Sequence, residues 1–465
     1  MKILALLPLL LFAVPRTDDE RPNIFIAVAD DWSYPHAGVY GDKTIHTPTF
    51  DRMSAEGVLF TNTYCSSPSC TPSRASMLTG QHIHRLEDSG NLWSRLAPKF
   101  ETYPDLLEKH GYVVGLQGKG WGPGDFKAGG RERNPAGPSV KNFAEFLKSV
   151  PAGKPFCFWL GHKDPHRPYK EGQGLEAGLK LDTVQVPPYL PDTPEVRGDL
   201  LDYYAAVQRY DRDTGEALRL LEESGRARNT IVVMTGDNGL PFPRAKATLY
   251  DSGTRMPLAI RWPGKVRGGR TVDAFVSQCD FAPTFLEAAG LKVPPEMTGR
   301  SLMPVLEGKD QPGRDRVFFG RERHANVRRG DLSYPARAIR TREFLYVRNL
   351  RPELWPAGDP DKWVAVGPFG DVDAGPSKEQ IIARRDHDLQ RFFRLAFEKR
   401  PERELFDLAK DPDQMENVAA ARPDVVEKLD AELVKFLAET GDPRVVGGKL
   451  GGSDDRWDKY PYYGK

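Results

Sequence analysis

Four apolar segments of this 465-residue chain each end in side chains that can bind ions or transfer protons. The segments are "NIFIAVA", "YVVGL", "FCFWL" and "TIVVMT". The side chains that follow them are Asp30, Asp31, Lys119, His162, Lys163, Asp164, His166, Asp237 and Asn238, with Lys246 a little further on. A single Asp after a strand usually caps a helix, but four endings of this kind favour one shared site at the edge of a sheet.

An all-oxygen set of metal ligands is provided by the side chains of Asp30, Asp31, Asp237 and Asn238. Hard cations such as Ca²⁺ and Mg²⁺ prefer oxygen, whereas zinc prefers nitrogen and sulfur. Two adjacent buried carboxylates also need a counter-charge, which such a cation supplies. The alternative, a pair of solvated loop carboxylates, explains less of the pattern. The sequence therefore predicts a site for a hard divalent cation.

Cys70 stands directly before "TPSRASMLTG". The pattern predicts a helix with Cys70 at its N-cap and Pro72 in its first turn, where the missing N–H of proline costs little. A helix N-terminus favours negative charge, and Arg74 projects from the same side one turn later. The position is therefore suited to an anion. Two other interpretations stay open: a buried structural thiol, and a thiolate nucleophile activated by the helix end.

Strand and helix patterns alternate over the first two thirds of the chain. Helices are predicted over residues 103–110, 141–149 and 199–224, and "MPLAIRWPG" adds another strand. This order predicts an α/β fold with a large mixed, mostly parallel sheet sandwiched by helices. Parallel strands bring the groups that follow them to one edge of the sheet.

The pattern changes after residue 306. Short extended segments and an amphipathic helix over residues 423–439 predict a smaller C-terminal antiparallel sheet with a packed helix. Residues 354–377 are rich in Pro, Gly and Asp, which predicts a long surface loop. We divide the chain into a signal peptide over 1–20, a catalytic domain over 21–310 and a C-terminal α+β subdomain over 311–465.

The start of the chain and its overall charge bear on location and partners. "MKILALLPLLLFAV" is too short to cross a bilayer comfortably and is typical of a signal peptide, so we expect export to the periplasm or the outside, without stable membrane insertion. A formal net charge of +1 provides no general attraction to nucleic acid. If Cys70 is reserved for chemistry, three cysteines remain, so at most one intramolecular disulfide is expected.

"CTPSRASMLTG" resembles the signature of the sulfatase family, in which this cysteine is oxidised to formylglycine. "ADD" upstream and "GDNG" downstream extend the resemblance over nearly the whole chain. "HKDPHRPY", "GDNGLPFP", "SYPARAIR" and "ELFDLAKDPDQMENVA" resemble the heparan N-sulfatase (sulfamidase) branch in particular. The resemblance implies an alkaline-phosphatase-like fold, one Ca²⁺ per chain, and a formylglycine-generating enzyme as a partner during maturation.

The resemblance also implies roles for individual residues. The calcium ligands would be Asp30, Asp31, Asp237, Asn238 and the modified Cys70. Arg74 and Lys119 would hold the formylglycine and the sulfate oxygens, while His166 and Lys246 would contact the sulfate and the leaving group. One hydroxyl of the hydrated aldehyde would attack sulfur, and proton loss from the other would expel sulfate.

The sequence departs from the family pattern beside Lys119. Family members usually place a histidine shortly after this lysine, where the chain has Gly120 and Trp121. That histidine assists release of sulfate, so its absence leaves the base of this step open. His84, His162 or water is expected to take its place.

The sequence thus predicts a sulfohydrolase acting on sulfated glycans, with N-sulfoglucosamine in heparin- or heparan-type saccharides as the first choice. The alternatives are an O-sulfatase on another sulfated polysaccharide and a decayed protein that binds sulfated glycans. A phosphoryl-transfer enzyme would favour Ser or Thr at the nucleophile, and a thiol hydrolase leaves the Asp set unexplained. Trp32 and Trp121 are candidates for stacking on a sugar, with core packing the equal alternative. Arg321 and His324 are further candidates for a sugar pocket.

Overall fold

The computed structural model describes residues 21–361, 367–451 and 454–463. The predicted signal peptide lies outside the described residues. The strands are β1 (Asn23–Ala29), β2 (Val58–Tyr64), β3 (Val113–Gly118), β4 (Phe156–Gly161), β5 (Thr230–Gly236), β6 (Arg255–Arg261), β7 (Arg270–Ser277), β8 (Arg316–Arg321), β9 (Ala336–Thr341), β10 (Phe344–Asn349), β11 (Arg403–Asp407), β12 (Val445–Val446) and β13 (Lys449–Leu450). The α-helices are α1 (Pro48–Glu56), α2 (Cys70–Thr79), α3 (Tyr103–Lys109), α4 (Phe143–Ser149), α5 (Gln173–Glu176), α6 (Pro194–Glu223), α7 (Asp251–Thr254), α8 (Phe281–Ala288), α9 (Met303–Leu306), α10 (Pro376–Ala383), α11 (Gln390–Phe397), α12 (Pro423–Glu439) and α13 (Arg456–Lys459).

The large sheet has the strand order β3-β4-β1-β5-β6-β2-β7. Strands β3, β4, β1 and β5 are parallel, β6 runs antiparallel to both its neighbours, and β2 pairs with β7 in parallel. The predicted mixed, mostly parallel sheet is therefore confirmed. Strands β2 and β7 were not predicted, because polar residues interrupt both segments and the first part of β7 is partly exposed.

Helices cover both faces of this sheet, as the continuous burial of β1 requires. Side chains of a strand alternate between faces. Phe25 and Ala27 pack in one cluster with residues of α1, α4 and α6. Ile24 and Ile26 pack in the other with residues of α2, α3 and α8. Helix α2, which carries Cys70, is thereby fixed against the centre of the sheet.

The C-terminal sheet is antiparallel, with the order β11-β10-β9-β8. One face packs against side chains of the larger sheet, including Tyr64 and Phe275. The other face packs against α12, whose leucines recur on one side of the helix. The predicted small antiparallel sheet with one packed helix is confirmed. Among the described residues, none of the helices has the length and apolar character needed to cross a bilayer.

The described part of residues 354–377 is not a surface loop, and that prediction was wrong. Phe369, Asp371 and Val372 are buried. The Asp371 carboxylate accepts hydrogen bonds of 2.6 Å from both Arg321 and Arg328. Proline- and glycine-rich composition indicates irregular backbone, and tertiary contacts decide whether such backbone is exposed. Here Arg321 at the end of β8 and Arg328 just beyond it hold the segment in place.

Candidate active site

The predicted oxygen ligands meet beyond the carboxyl ends of β1 and β5, two neighbouring parallel strands paired in register. Asp30 and Asp31 follow β1, and Asp237 and Asn238 follow β5. One ligand atom each from Asp30, Asp31, Cys70 and Asp237 lies within 4.8 Å of the others, and all four residues are buried. The sheet therefore assembles a compact acidic cluster from segments about 200 positions apart.

The backbone around Asp31 is constrained by its neighbours. Asp31 has φ of 71°, a left-handed conformation that few residues other than glycine adopt. Its N–H donates to Asp237 Oδ1 at 2.9 Å, and Asn238 Nδ2 donates to Asp31 Oδ1 at 2.7 Å. Strained backbone of this kind persists where surrounding contacts hold it and is concentrated at functional sites.

Cys70 is the first residue of α2, one position later in the helix than predicted. Ser69 is the N-cap residue, with extended backbone, and its hydroxyl bonds to His324 Nδ1 at 2.8 Å. The Cys70 thiol donates to Asp30 Oδ1 at 3.3 Å. Burial, followed by the Asp30 charge, raises the pKa of the Cys70 thiol well above its usual value. A protonated thiol is a poor nucleophile, which counts against the thiolate interpretation.

Two cations, Arg74 and Lys119, hold this cluster together. Arg74 Nε donates to Asp237 Oδ2 at 2.7 Å, and Lys119 Nζ donates to the two oxygens of Asp30 at 2.7 and 2.6 Å. Burial alone would raise the pKa of Asp30, but the Lys119 charge, followed by those of His166 and Arg74, brings it well below its usual value. Asp30 is therefore ionised and available as a ligand.

On the other side of the cluster, Lys246 Nζ donates to Asp31 Oδ2 at 2.8 Å and to Asp373 Oδ2 at 3.0 Å. Burial disfavours the ammonium, but the charges of Asp31 and Asp373 outweigh it and raise the pKa of Lys246 well above its usual value. His166 Nε2 lies 3.9 Å from Asp31 Oδ2. Lys246 is thus a charged donor beside a histidine.

The donor set fits a hard divalent cation. Asn238 Oδ1 is buried and has no hydrogen-bond partner among the described residues, which costs about 1–3 kcal/mol unless a ligand satisfies it. Burial also outweighs the Lys246 charge and raises the pKa of Asp31, and a cation would favour its ionised form. The side chains suited to hold the ion are Asp30, Asp31, Asp237, Asn238 and position 70.

A cavity of about 820 Å³ opens above Cys70. Ionisable side chains of Lys119, Lys163, His166, Lys246 and Asp373 line one part of the cavity. Apolar and aromatic side chains of Leu92, Trp93, Trp121 and Phe126 line another part. Pockets of this size and mixed lining accommodate small organic ligands. The arrangement suits an anion at the base of the cavity, with an apolar surface for the rest of the ligand.

Two predicted contributors, His84 and His162, are bonded elsewhere and do not line this cavity. His84 Nε2 bonds to Thr440 Oγ1 at 3.0 Å, in the C-terminal part of the chain. His162 Nε2 bonds to Asp213 at 3.0 Å, and its Nδ1 accepts the backbone N–H of Asp164 at 3.0 Å. The structure therefore brings together the predicted metal ligands and the predicted sulfate-binding residues, whereas His84 and His162 lie apart from them.

The four aromatic and basic candidates for a sugar pocket divide into two pairs. Trp121 and His324 line the cavity. Trp32 is fully buried and donates to the His36 carbonyl at 2.8 Å, so it is a core residue. Arg321 is bonded to Asp371 instead.

Among the cavity residues that sequence reasoning missed are Asp373 and Trp93. Asp373 belongs to the segment that was predicted to be a surface loop, and Trp93 follows no strand. Trp93 packs against Tyr462, with 6.0 Å between ring centroids, and its carbonyl accepts the Tyr463 N–H at 2.8 Å. These long-range contacts leave no signal in local sequence patterns.

The fold is a mixed sheet with helices on both faces. The site at its carboxyl edge combines a buried carboxylate cluster with a cysteine that starts the adjacent helix. This combination is that of an alkaline-phosphatase-like hydrolase of the sulfatase type. The sulfatase family profile matches residues 22–291, and the profile of the N-sulphoglucosamine sulphohydrolase C-terminal region matches residues 244–356. The chain belongs to the sulfatase family and is a sulfatase, a hydrolase of sulfuric esters or sulfamates. The resemblance found in the sequence is confirmed.

Individual relatives are similar over most of their length. Human N-sulphoglucosamine sulphohydrolase is 30% identical, with 91% of this chain and 92% of the human protein covered. An ulvan-active sulfatase of Formosa agariphila is 28% identical, with 91% and 76% covered. A solved structure in complex with D-glucosamine-2-N,6-O-disulfate has a TM-score of 0.64 at 21% identity, covering 91% of this chain and 99% of that one, which supports the fold.

Proposed function

We propose that this protein removes sulfate from sulfated glycans, with N-sulfoglucosamine in heparin- or heparan-type saccharides as its substrate. The observation that carries the proposal is the base of the cavity, where Cys70 and three buried carboxylates meet Arg74, Lys119 and Lys246. Cations placed around one point can bind a sulfate group and stabilise the additional charge of its transition state.

The leaving atom is proposed to be nitrogen, with oxygen as the second candidate. Support for nitrogen comes from the human N-sulphoglucosamine sulphohydrolase, similar over 91% of this chain, and from the matching C-terminal profile. Support for oxygen comes from the similarity to an N-acetylglucosamine-6-O-sulfatase of Bacteroides thetaiotaomicron, 29% identical with 67% of this chain covered. A sulfated saccharide is the substrate class in both cases.

Two groups complete the proposed site. Asp30, Asp31, Asp237, Asn238 and the residue at position 70 would hold one Ca²⁺, which supplies positive charge next to the sulfate when bound. Position 70 would carry formylglycine, whose hydrate supplies one hydroxyl as nucleophile and a second whose deprotonation releases sulfate.

The side chains of this protein are proposed to bind the sulfate oxygens and to protonate the leaving atom. Lys119 borders the cavity and Arg74 lies beneath it, so Lys119 can donate to sulfate oxygens while Arg74 fixes Asp237. His166 is the proposed proton donor to the leaving atom, because the raised pKa of Lys246 makes its ammonium a weak acid. Lys246 would instead remain charged and stabilise the developing anion.

The base for sulfate release is proposed to be water. Trp121 stands where the family usually has a histidine, and His84 and His162 are bonded outside the cavity. Water can enter the open cavity above Cys70.

Maturation is proposed to depend on a formylglycine-generating enzyme, and the protein is proposed to act after export, in the periplasm or outside the cell.

A paired measurement tests the proposal. Mass analysis of the peptide that carries position 70 should show formylglycine, and sulfate should be released from N-sulfoglucosamine faster than from glucosamine 6-O-sulfate. Release only from the O-sulfated sugar would reject the nitrogen assignment and retain the sulfatase. Tight binding of both sugars without release, by protein that carries formylglycine, would favour the decayed binding protein.

Trp93→Ala should raise the KM for a saccharide substrate about 2- to 10-fold with little change in kcat, because it removes an aromatic face next to the sugar. The measurement is sulfate release as a function of N-sulfoglucosamine concentration. A small aryl sulfate, which does not reach beyond the base of the cavity, serves as the control and should keep its KM. An unchanged KM for the saccharide would rule out stacking on Trp93.

A further inference from the structure

Asp373 is a carboxylate on the leaving-group side of the cavity that the proposed mechanism does not use. Its Oδ2 lies 3.0 Å from Lys246 Nζ. One carboxylate oxygen of Asp373, one of Asp31 and a ring nitrogen of His166 all lie within 4.8 Å of one another. Asp373 therefore shares its surroundings with the two residues proposed to face the leaving atom.

The backbone that presents Asp373 is firmly anchored. Two residues earlier, the buried carboxylate of Asp371 bonds to Arg321, Arg328 and the N–H of Ala325. The side chain of Asp373 itself is 23% exposed, towards the cavity that it lines. A fixed carboxylate with one side open can contact a ligand directly.

The charge of Asp373 is unusual in a site for anions. Burial raises its pKa, but the charges of Lys246 and then His166 outweigh burial and bring the pKa well below the usual value. The Lys246 ammonium already lies between Asp31 and Asp373 and supplies their counter-charge, so these carboxylates need no second metal ion. An ionised carboxylate can only accept hydrogen bonds, so any ligand group that contacts Asp373 favourably must be a donor.

Asp373 also differs from the other two carboxylates that line the cavity. Asp30 is bonded through both oxygens to Lys119, and Asp164 is bonded through both oxygens to Arg209. Among the described residues, Asp373 has a donor on Oδ2 and none on Oδ1. Oδ1 is thus a free acceptor beside Lys246.

A sulfamate and a sulfate ester differ in what the scissile atom can offer. The sulfamate nitrogen carries an N–H that donates a hydrogen bond, whereas the ester oxygen carries only lone pairs, which a carboxylate repels. After cleavage the nitrogen becomes an amine that is protonated near neutral pH and attracts a carboxylate further. The Lys246 ammonium provides only donors, so it can contact the ester oxygen but cannot accept the sulfamate N–H.

We propose that Asp373 is the residue that selects a sulfamate over a sulfate ester, by accepting the N–H of the substrate nitrogen and the N–H groups of the amine product. The inference rests on the proposed function, since it names the feature of the same site that recognises the leaving atom. In this proposal Asp373 contacts the substrate directly. It changes the ratio of activity on N-sulfated sugars to activity on O-sulfated sugars.

The test compares wild-type protein, Asp373→Asn and Asp373→Ser, each loaded with Ca²⁺ and checked for formylglycine and for thermal unfolding. Asp386→Asn, which changes an exposed carboxylate with 81% of its side chain accessible, is the matched control. We expect kcat/KM for N-sulfoglucosamine to fall about 10- to 100-fold in both Asp373 variants, the effect of a charge-assisted hydrogen bond. The value for glucosamine 6-O-sulfate should stay equal or rise.

A binding measurement provides a readout without turnover. By calorimetry, wild type should bind glucosamine more tightly than N-acetylglucosamine, and both Asp373 variants should lose this preference. An unchanged ratio of the two activities together with an unchanged preference for glucosamine would overturn the inference while leaving the proposed function in place. If wild type releases no sulfate from N-sulfoglucosamine, the nitrogen assignment fails, and the glucosamine preference still decides whether Asp373 recognises an amine.

Discussion

Replacing Cys70 with alanine is expected to reduce sulfate release at least about 10⁴-fold, the scale seen when a catalytic nucleophile is removed. Alanine cannot be converted to an aldehyde, so the site would keep its cations and lose the group that forms a bond to sulfur. Sulfate release from N-sulfoglucosamine, measured together with the mass of the peptide that carries position 70, checks this result.

Cys70→Ser is the matched variant, because it preserves the size of the side chain and offers one hydroxyl. A single hydroxyl can accept sulfate but cannot expel it by forming an aldehyde. We therefore expect no turnover and at most one sulfate bound per chain, detectable as added mass on that peptide. Substantial turnover by either variant would refute the assignment of position 70 as the nucleophile.

Asp237→Ala is expected to lower the free energy of unfolding by about 3–5 kcal/mol, the cost of breaking a buried ion pair from one side. Asp237 and Arg74 are both fully buried, and their bond of 2.7 Å would be lost. The Asp31 N–H would lose its acceptor as well. Denaturant unfolding gives the loss of stability, and sulfate release should fall because a proposed metal ligand is missing.

Two further measurements separate the metal from the ion pair. Added Ca²⁺ should raise the Tm of wild type. At 100 times its Kd it should raise the free energy of unfolding by about 2.7 kcal/mol, and it should have far less effect on Asp237→Ala. The double variant Arg74→Leu with Asp237→Ala should lose less stability than the sum of the single variants, because no unpaired charge remains. Asp273→Ala is the control, because 67% of the Asp273 side chain is exposed. It should change the free energy of unfolding by less than about 0.5 kcal/mol. Equal behaviour of Asp237→Ala and this control would contradict both roles.

The local sequence pattern was sufficient to predict those strands and helices whose own residues specify them. β1 and α12 have the predicted bounds because a continuous apolar run and an amphipathic heptad-like pattern each specify one kind of element. Helix α6 begins at Pro194, five residues before the prediction, since its first turn is polar and capped by Thr193. Strands β2 and β7 were missed because pairing with neighbours, rather than their own pattern, stabilises them.

For the site, the sequence by itself determined which side chains follow the strands and start the helix: Asp30, Asp31, Asp237, Asn238 and Cys70. Parallel strands deliver such groups to one edge, so their meeting could be predicted from order alone. The tertiary structure decided what approaches that edge from elsewhere in the chain. It turned His84 towards Thr440 and brought Asp373 to Lys246, because packing between distant segments sets these contacts and local sequence carries no record of them.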